Sequence, residues 1–130
     1  MINLILGDCL ERMKEIPDGS VDLILTDPPY GTTACKWDSV IPLEPMWEQL
    51  KRIIKPNGAI VLFGSEPFSS ALRMSNIKQY KYDWVCDKVT AKGHLVAKIR
   101  PMQQTENICV FCDSKINYYP IMVERDKTYY

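Results

Sequence analysis

The run Val21-Asp22-Leu23-Ile24-Leu25-Thr26 is halted by Asp27-Pro28-Pro29-Tyr30-Gly31. No other stretch constrains the fold as tightly. The run is short, apolar and rich in β-branched residues, which predicts a buried strand. Two successive prolines cannot donate to a ladder or enter a helix interior, so the strand must stop there. Upstream, Ile2-Asn3-Leu4-Ile5-Leu6 predicts another buried strand, ended by Gly7-Asp8. Cys9 to Ile16 spaces Leu10, Met13 and Ile16 for a short amphipathic helix with Asp8 as its N-cap. Pro17-Asp18-Gly19-Ser20 is a turn.

Beyond the double proline, residues 31–42 are polar and irregular. Met46, Trp47, Leu50, Ile53 and Ile54 share a face, predicting a helix from Glu44 to Ile54 that Lys55-Pro56-Asn57-Gly58 ends. Ala59 to Phe63 predicts a third buried strand. Gly64-Ser65-Glu66-Pro67 opens a helix to about Asn76, with Ser65 as its cap and Pro67 in the first turn. Tyr80 to Asp87 predicts a strand, residues 88–105 a long loop, and Asn107 to Phe111 a last strand. The stretch from Asp113 to Tyr130 fits no element. This alternation predicts an α/β fold with a mostly parallel sheet, closed by an antiparallel C-terminal strand pair.

At 130 residues the chain fits one domain. Sixteen Lys plus Arg balance sixteen Asp plus Glu, which excludes a polybasic tail protein but not a local basic patch. No apolar run approaches the length of a membrane helix. The first residues show no basic n-region, and five cysteines is an odd count, so a reduced, cytoplasmic protein without disulfides is expected.

In open α/β sheets the reactive groups gather at the carboxyl ends of strands, where Asp27-Pro28-Pro29-Tyr30 stands. A carboxylate, a proline-fixed carbonyl and an aromatic ring within four residues suit a planar ring bearing an exocyclic amine. Asp27 and the Pro28 carbonyl can accept the two amine hydrogens while Tyr30 stacks on the ring. Adenine and cytosine are rings of this kind. Two acceptors aimed at those hydrogens favour a pyramidal nitrogen and restore its lone pair for attack on a methyl group. A plain strand-ending turn is the competing reading of the tripeptide.

Thr26-Asp27-Pro28-Pro29-Tyr30-Gly31 resembles the catalytic motif of the amino-group DNA methyltransferases, which make N6-methyladenine or N4-methylcytosine from S-adenosylmethionine. Gly7-Asp8-Cys9-Leu10-Glu11 resembles the segment preceding that motif in the class with permuted motifs. Leu50 to Phe63 resembles the helix and strand that follow it. Trp84 to Lys88, Gly93-His94-Leu95 and Glu106 to Phe111 resemble later strands and the target-proximal loop of phage-type members. The resemblance implies a partial Rossmann-like methyltransferase fold and a catalytic site at Asp27, Pro28, Pro29 and Tyr30. It places Asp8, Cys9 and Asp27 near the cofactor and double-stranded DNA as the partner, with adenine favoured by the Asp-Pro-Pro-Tyr form. Members also carry a Phe-x-Gly-x-Gly motif for the methionine part of the cofactor. The six glycines, at 7, 19, 31, 58, 64 and 93, form no Gly-x-Gly. Residues 1–130 therefore read as a catalytic half without its cofactor-binding half. The two family strands between the Ile2–Leu6 and Val21–Thr26 strands are also missing, which leaves a sheet edge for a second copy or for the cofactor half.

Lys88, Lys92, His94, Lys98 and Arg100 occur with no acid among them, and the resemblance puts DNA nearby, so they are candidate phosphate contacts. Cys109-x-x-Cys112 invites a zinc reading, but no second such pair follows and His94 is the only histidine, so no metal is expected. Trp47 and Trp84 read as packing. Trp37 is open to either reading, as is Phe63-Gly64, which would line the site or pack the core. Two rival functions remain: a non-catalytic subunit that binds DNA or a partner chain, and an unrelated α/β nucleotide-binding module.

Overall fold

The computed structural model describes residues 2–124. It contains α1 (Cys9–Arg12), a 3₁₀ turn (Met13–Glu15), β1 (Val21–Thr26), α2 (Leu43–Ile53) and β2 (Ile54–Gly64). These are followed by α3 (Phe68–Ser75), β3 (Tyr80–Lys92), a second 3₁₀ turn (His94–Val96) and β4 (Gln103–Phe111). The four strands form one sheet in the order β1-β2-β4-β3. β1 and β2 are parallel, with Ile24 beside Ile60 and Thr26 beside Leu62. β4 is antiparallel to both neighbours. Three of the four strands thus run one way and the C-terminal pair is antiparallel, as expected.

The core forms where the apolar stripe of each helix meets one face of the sheet. Met46, Trp47 and Leu50 of α2 and Phe68 and Leu72 of α3 pack on Ile60 and Leu62 of β2 and Cys109 and Phe111 of β4. Alternate strand residues share a face, so both helices lie on the same side. Full burial of a Leu or Phe side chain contributes roughly 1.5–3 kcal/mol, and Leu62, Leu72 and Phe111 are wholly buried. Trp47 packs edge-on to Phe111 and donates its indole N–H to Ser75 Oγ at 2.7 Å, the core role expected of it.

Several expectations are corrected. Ile2–Leu6 is irregular and exposed rather than a buried strand. No described strand lies beside it, and a lone strand has no ladder to hold it. β1 occupies its expected residues, but only one face packs; Leu23 and Leu25 are exposed because both helices cover the other side. Ser65 does not cap α3. That helix starts after Pro67, and the Glu66 carboxylate accepts from the Ser70 N–H at 3.2 Å instead. The long loop expected at 88–105 shrinks to 93–102, because β3 and β4 continue as a hairpin in which Lys92 pairs with Gln103. Its arms are polar, and an antiparallel pair open to water needs no apolar run. Asp8 caps α1 as expected, accepting from Leu10 N–H at 2.8 Å. Residues 125–130 of the unassigned C-terminal stretch lie outside the described residues. No helix among the described residues is long and apolar enough to cross a membrane.

Candidate active site

Strand direction gathers the site. The carboxyl ends of β1, β2 and β3 and the start of β4 meet at one end of the sheet. Asp27, Ser65, Lys88, Lys92, Gln103 and Glu106 therefore converge, although up to 79 positions separate them in sequence. They line a cavity of about 500 Å³ together with Pro28, Pro29, Tyr30, Thr32, Thr33, Trp37 and Asp38.

Within the Asp-Pro-Pro-Tyr turn, Tyr30 donates its hydroxyl to Asp27 Oδ1 at 2.5 Å. Pro28 is buried and Tyr30 half-buried. The Tyr30 ring stacks on Phe68, with centroids 5.2 Å apart and planes 25° apart. Phe68, the first residue of α3, thus covers one face of the phenol. Burial, followed by the bond to Asp27, pushes the Tyr30 hydroxyl well above the ordinary tyrosine range. Asp27 Oδ2 accepts no hydrogen bond among the described residues and is left for another donor.

The following loop is fastened by one carboxylate. Asp38 accepts from the backbone N–H groups of Gly31 at 2.9 Å, Thr32 at 2.9 Å and Thr33 at 2.7 Å. Its side chain belongs to a residue only 8% exposed. The Thr33 hydroxyl and these backbone N–H groups hold its carboxyl down to about 2. Gly31 permits the approach through a left-handed backbone (φ 68°), and a Cβ there would stand 2.8 Å from Val40 Cγ2. The sequence reading missed Asp38. Its nearest signal was an acid in a loop otherwise short of structure.

On the opposite wall, Lys88 forms an ion pair with Glu106. Glu106 raises the pKa of Lys88, while the Lys88 ammonium lowers that of Lys92. Among the described residues one lysine is matched by a carboxylate and its neighbour is not. Between them the backbone of Val89 is left-handed (φ 65°), a strained state for a β-branched residue, in a bulge that interrupts the ladder between Asp87 and Lys92. The Gln103 amide donates to Ser65 Oγ at 2.6 Å, tying β4 to the turn after β2. Arg73 bonds Glu66 at 2.7 Å and Asp83 at 2.6 Å, so that turn is also anchored to β3. Gly64 is in the packing, not the cavity: its Cβ would lie 3.0 Å from that of Ser69.

Of the residues singled out from sequence, Asp27, Pro28, Pro29, Tyr30, Lys88 and Lys92 come together. Asp8 and Cys9 sit exposed at the start of α1 and do not line the cavity. His94 and Lys98 lie exposed on the 93–102 loop. Arg100 lines an adjoining cleft of about 210 Å³, which shares Lys92 and Gln103 with the main cavity. Glu106, Gln103, Ser65 and Asp38 were not anticipated as site residues. Trp84 is half exposed and tilts against Tyr82 at 5.6 Å, a packing contact. Cys109 and Cys112 are buried free thiols, and among the described residues no group of metal-ligating side chains gathers.

A family model described as RMKL-like, methyltransferase domain, matches residues 9–92. The type II methyltransferase M.HinfI of Haemophilus influenzae is 30% identical over 112 residues, covering 68% of this chain and 31% of that protein. The type II methyltransferase M.BglII of Bacillus subtilis is 43% identical over 61 residues, 42% of this chain and 17% of that protein. The chain therefore spans a third or less of these curated relatives. Among solved structures, the complex of M1.HpyAVI with SAM superposes with a TM-score of 0.70 at 23% identity, over 97% of this chain and 62% of that one. The cytosine-N4-specific PvuII DNA methyltransferase gives 0.66 at 16% identity, over 85% and 49%. At such identities the likeness is one of fold.

Proposed function

We propose that this chain, which belongs to the RMKL-like methyltransferase-domain family, carries the target-amine pocket of a DNA methyltransferase that moves a methyl group from S-adenosylmethionine to N6 of adenine. The observation that carries the reading is the Asp27–Tyr30 pair lining the cavity of about 500 Å³. One carboxylate oxygen is held by the phenol and the other is free to accept from an amine. The matched relatives are named as type II methyltransferases, which supports the same class of chemistry.

A base inside a duplex cannot reach such a cavity, so the target nucleotide must swing out of the stack. Asp27 Oδ2 and the Pro28 carbonyl then accept the two amine hydrogens, and the free face of Tyr30 takes the ring. Withdrawing those hydrogens from the ring plane localises the nitrogen lone pair. A nitrogen–carbon bond would form as the methyl's bond to the sulfonium sulfur breaks and leaves its electron pair on sulfur, and the proton then lost by the nitrogen would pass to the Asp27 carboxylate. Positioning and fixed charge supply the acceleration.

S-adenosylmethionine, when bound, supplies a methyl group made electrophilic by a sulfonium. The Asp27 carboxylate, which no ion pair among the described residues neutralises, would set negative charge beside such a cation, whereas Glu106 is already matched by Lys88. Asp8 and Cys9 are assigned to the cofactor by resemblance alone. Lys88 and Lys92 on the cavity wall, with His94, Lys98 and Arg100 on the loop beside it, are assigned to the DNA backbone.

The test is methylation of duplex DNA with labelled S-adenosylmethionine by a protein that carries this chain together with a cofactor-binding half, followed by nucleoside analysis. N6-methyldeoxyadenosine that disappears in Asp27→Ala is the expected result. Undiminished methylation in that variant overturns the assignment, and N4-methyldeoxycytidine in its place reassigns the base. A second reading is favoured by the outer edge of β1, which no strand of the described residues covers. In it the chain is a subunit that binds DNA or a partner chain, including a second copy, without catalysis. Calorimetric titration with S-adenosylmethionine separates the two: no heat at millimolar ligand supports the subunit.

A further inference from the structure

We propose that the Trp37 indole is a second aromatic contact for the nucleobase, folding onto a base that Tyr30 has received. The inference rests on the target-pocket reading above and adds a residue to it. Trp37 is 75% exposed yet lines the same cavity as Tyr30. It makes no aromatic pair among the described residues, in contrast to Trp47, which is buried, and Trp84, which leans on Tyr82.

Its backbone is not loose. The next residue is Asp38, whose carboxylate holds three N–H groups of residues 31–33 and whose own N–H bonds the Cys35 carbonyl at 3.0 Å. An anchored segment therefore presents the largest apolar side chain to water at the edge of a cavity. Exposed apolar area of this size is unfavourable on its own and marks a contact site when it borders a cleft.

The chemistry of the occupant follows from the ring it would meet. Phe68 already covers one face of Tyr30, which leaves at most one phenol face for a planar base. A base also has a second π-face, and an indole can stack on it. The base amine is held by oxygen acceptors at Asp27 and Pro28, which fix its plane but leave that outer face in water. Covering the ring there excludes water from that face while leaving the amine nitrogen, at the ring's edge, open to the methyl donor.

The test uses the 130-residue chain with Trp84→Phe, so that Trp37 is the exposed emitter beside the buried Trp47. The probe is the single-stranded hexamer d(A)6, in which no base needs flipping, and an abasic deoxyribose-phosphate hexamer of equal charge is the control. The expected result is quenching of the solvent-exposed emission by d(A)6 but not by the abasic hexamer. By fluorescence anisotropy of a labelled d(A)6, Trp37→Ala weakens binding at least tenfold and Trp37→Tyr restores most of it. Unchanged circular dichroism checks the fold of each variant. If d(A)6 affinity falls in Asp27→Ala but not in Trp37→Ala, the Trp37 role is overturned and the pocket stands. If d(A)6 does not bind, or its binding is indifferent to both substitutions, both readings fail.

Discussion

Tyr30 donates its hydroxyl to Asp27 Oδ1 at 2.5 Å, so the phenol and the carboxylate act as one unit. In the proposed site the ring would supply a stacking face, and its hydroxyl would fix which carboxylate oxygen is left for the substrate amine. Tyr30→Phe keeps the ring on Phe68 and removes only that bond. A hydrogen bond to a charged group is worth about 1.5–3 kcal/mol, so kcat is expected to fall by at least tenfold with KM for DNA little changed. An unchanged kcat would show that Asp27 needs no such orientation. Tyr30→Ala removes the stacking face as well and should raise KM too.

Asp38 makes the loop after the motif sensitive to acid. Its carboxyl is held down from 3.8 to about 2, with the Thr33 hydroxyl and the Gly31 N–H as the leading causes. A depressed carboxyl pKa adds stability that is present above the unfolded value and lost as pH falls through the folded one. Amide exchange at Gly31, Thr32 and Thr33 should therefore be slow above about pH 4 relative to the intrinsic rate, and that protection should vanish as pH approaches 2. Asp38→Asn should abolish the pH dependence. Protection that persists in Asp38→Asn would contradict the anchor.

Lys88 and Lys92 line one cavity but differ in charge balance, because only Lys88 pairs with Glu106. Each phosphate contact by a lysine releases counterions and steepens the salt dependence of binding. Lys92→Ala should flatten the log-affinity against log-salt slope for duplex DNA by about one unit. Lys88→Ala should change it less, since its charge is already matched. Equal slopes for both variants would mean that the ion pair opens in the complex.

Leu72 is wholly buried at the centre of the packed face, between α3 and the sheet. Leu72→Ala should destabilise the fold by about 2–5 kcal/mol. In urea this appears as a lower midpoint with an unchanged slope. A loss well under 1 kcal/mol would mean that the helix layer relaxes to fill the space.

Much of this was legible in the sequence because it is local. The double proline marks the end of β1 wherever the chain goes next, and the stripe from Met46 to Ile53 specifies α2 by its spacing. Asp8 announces its cap two residues ahead of the N–H that it accepts from. Ile2–Leu6 shows the limit of such reasoning. Its pattern is that of a strand, but a strand exists only where a neighbour completes its hydrogen bonds, and β1 pairs on its other side with β2. The hairpin arms 88–92 and 103–106 err in the other direction. They are polar, so periodicity alone hides them, and cross-strand pairing makes them strands.

The sequence by itself determined β1, most of α2 and the candidate tetrapeptide Asp27–Tyr30, because turn chemistry, capping and apolar spacing act within a few residues. Only the tertiary structure decided that Lys88, Gln103 and Glu106 face Asp27, that Phe68 occupies one side of Tyr30, and that Asp38 reaches back to residues 31–33. Those relations follow from strand order and direction, which bring distant segments to one end of the sheet, and no local pattern encodes them.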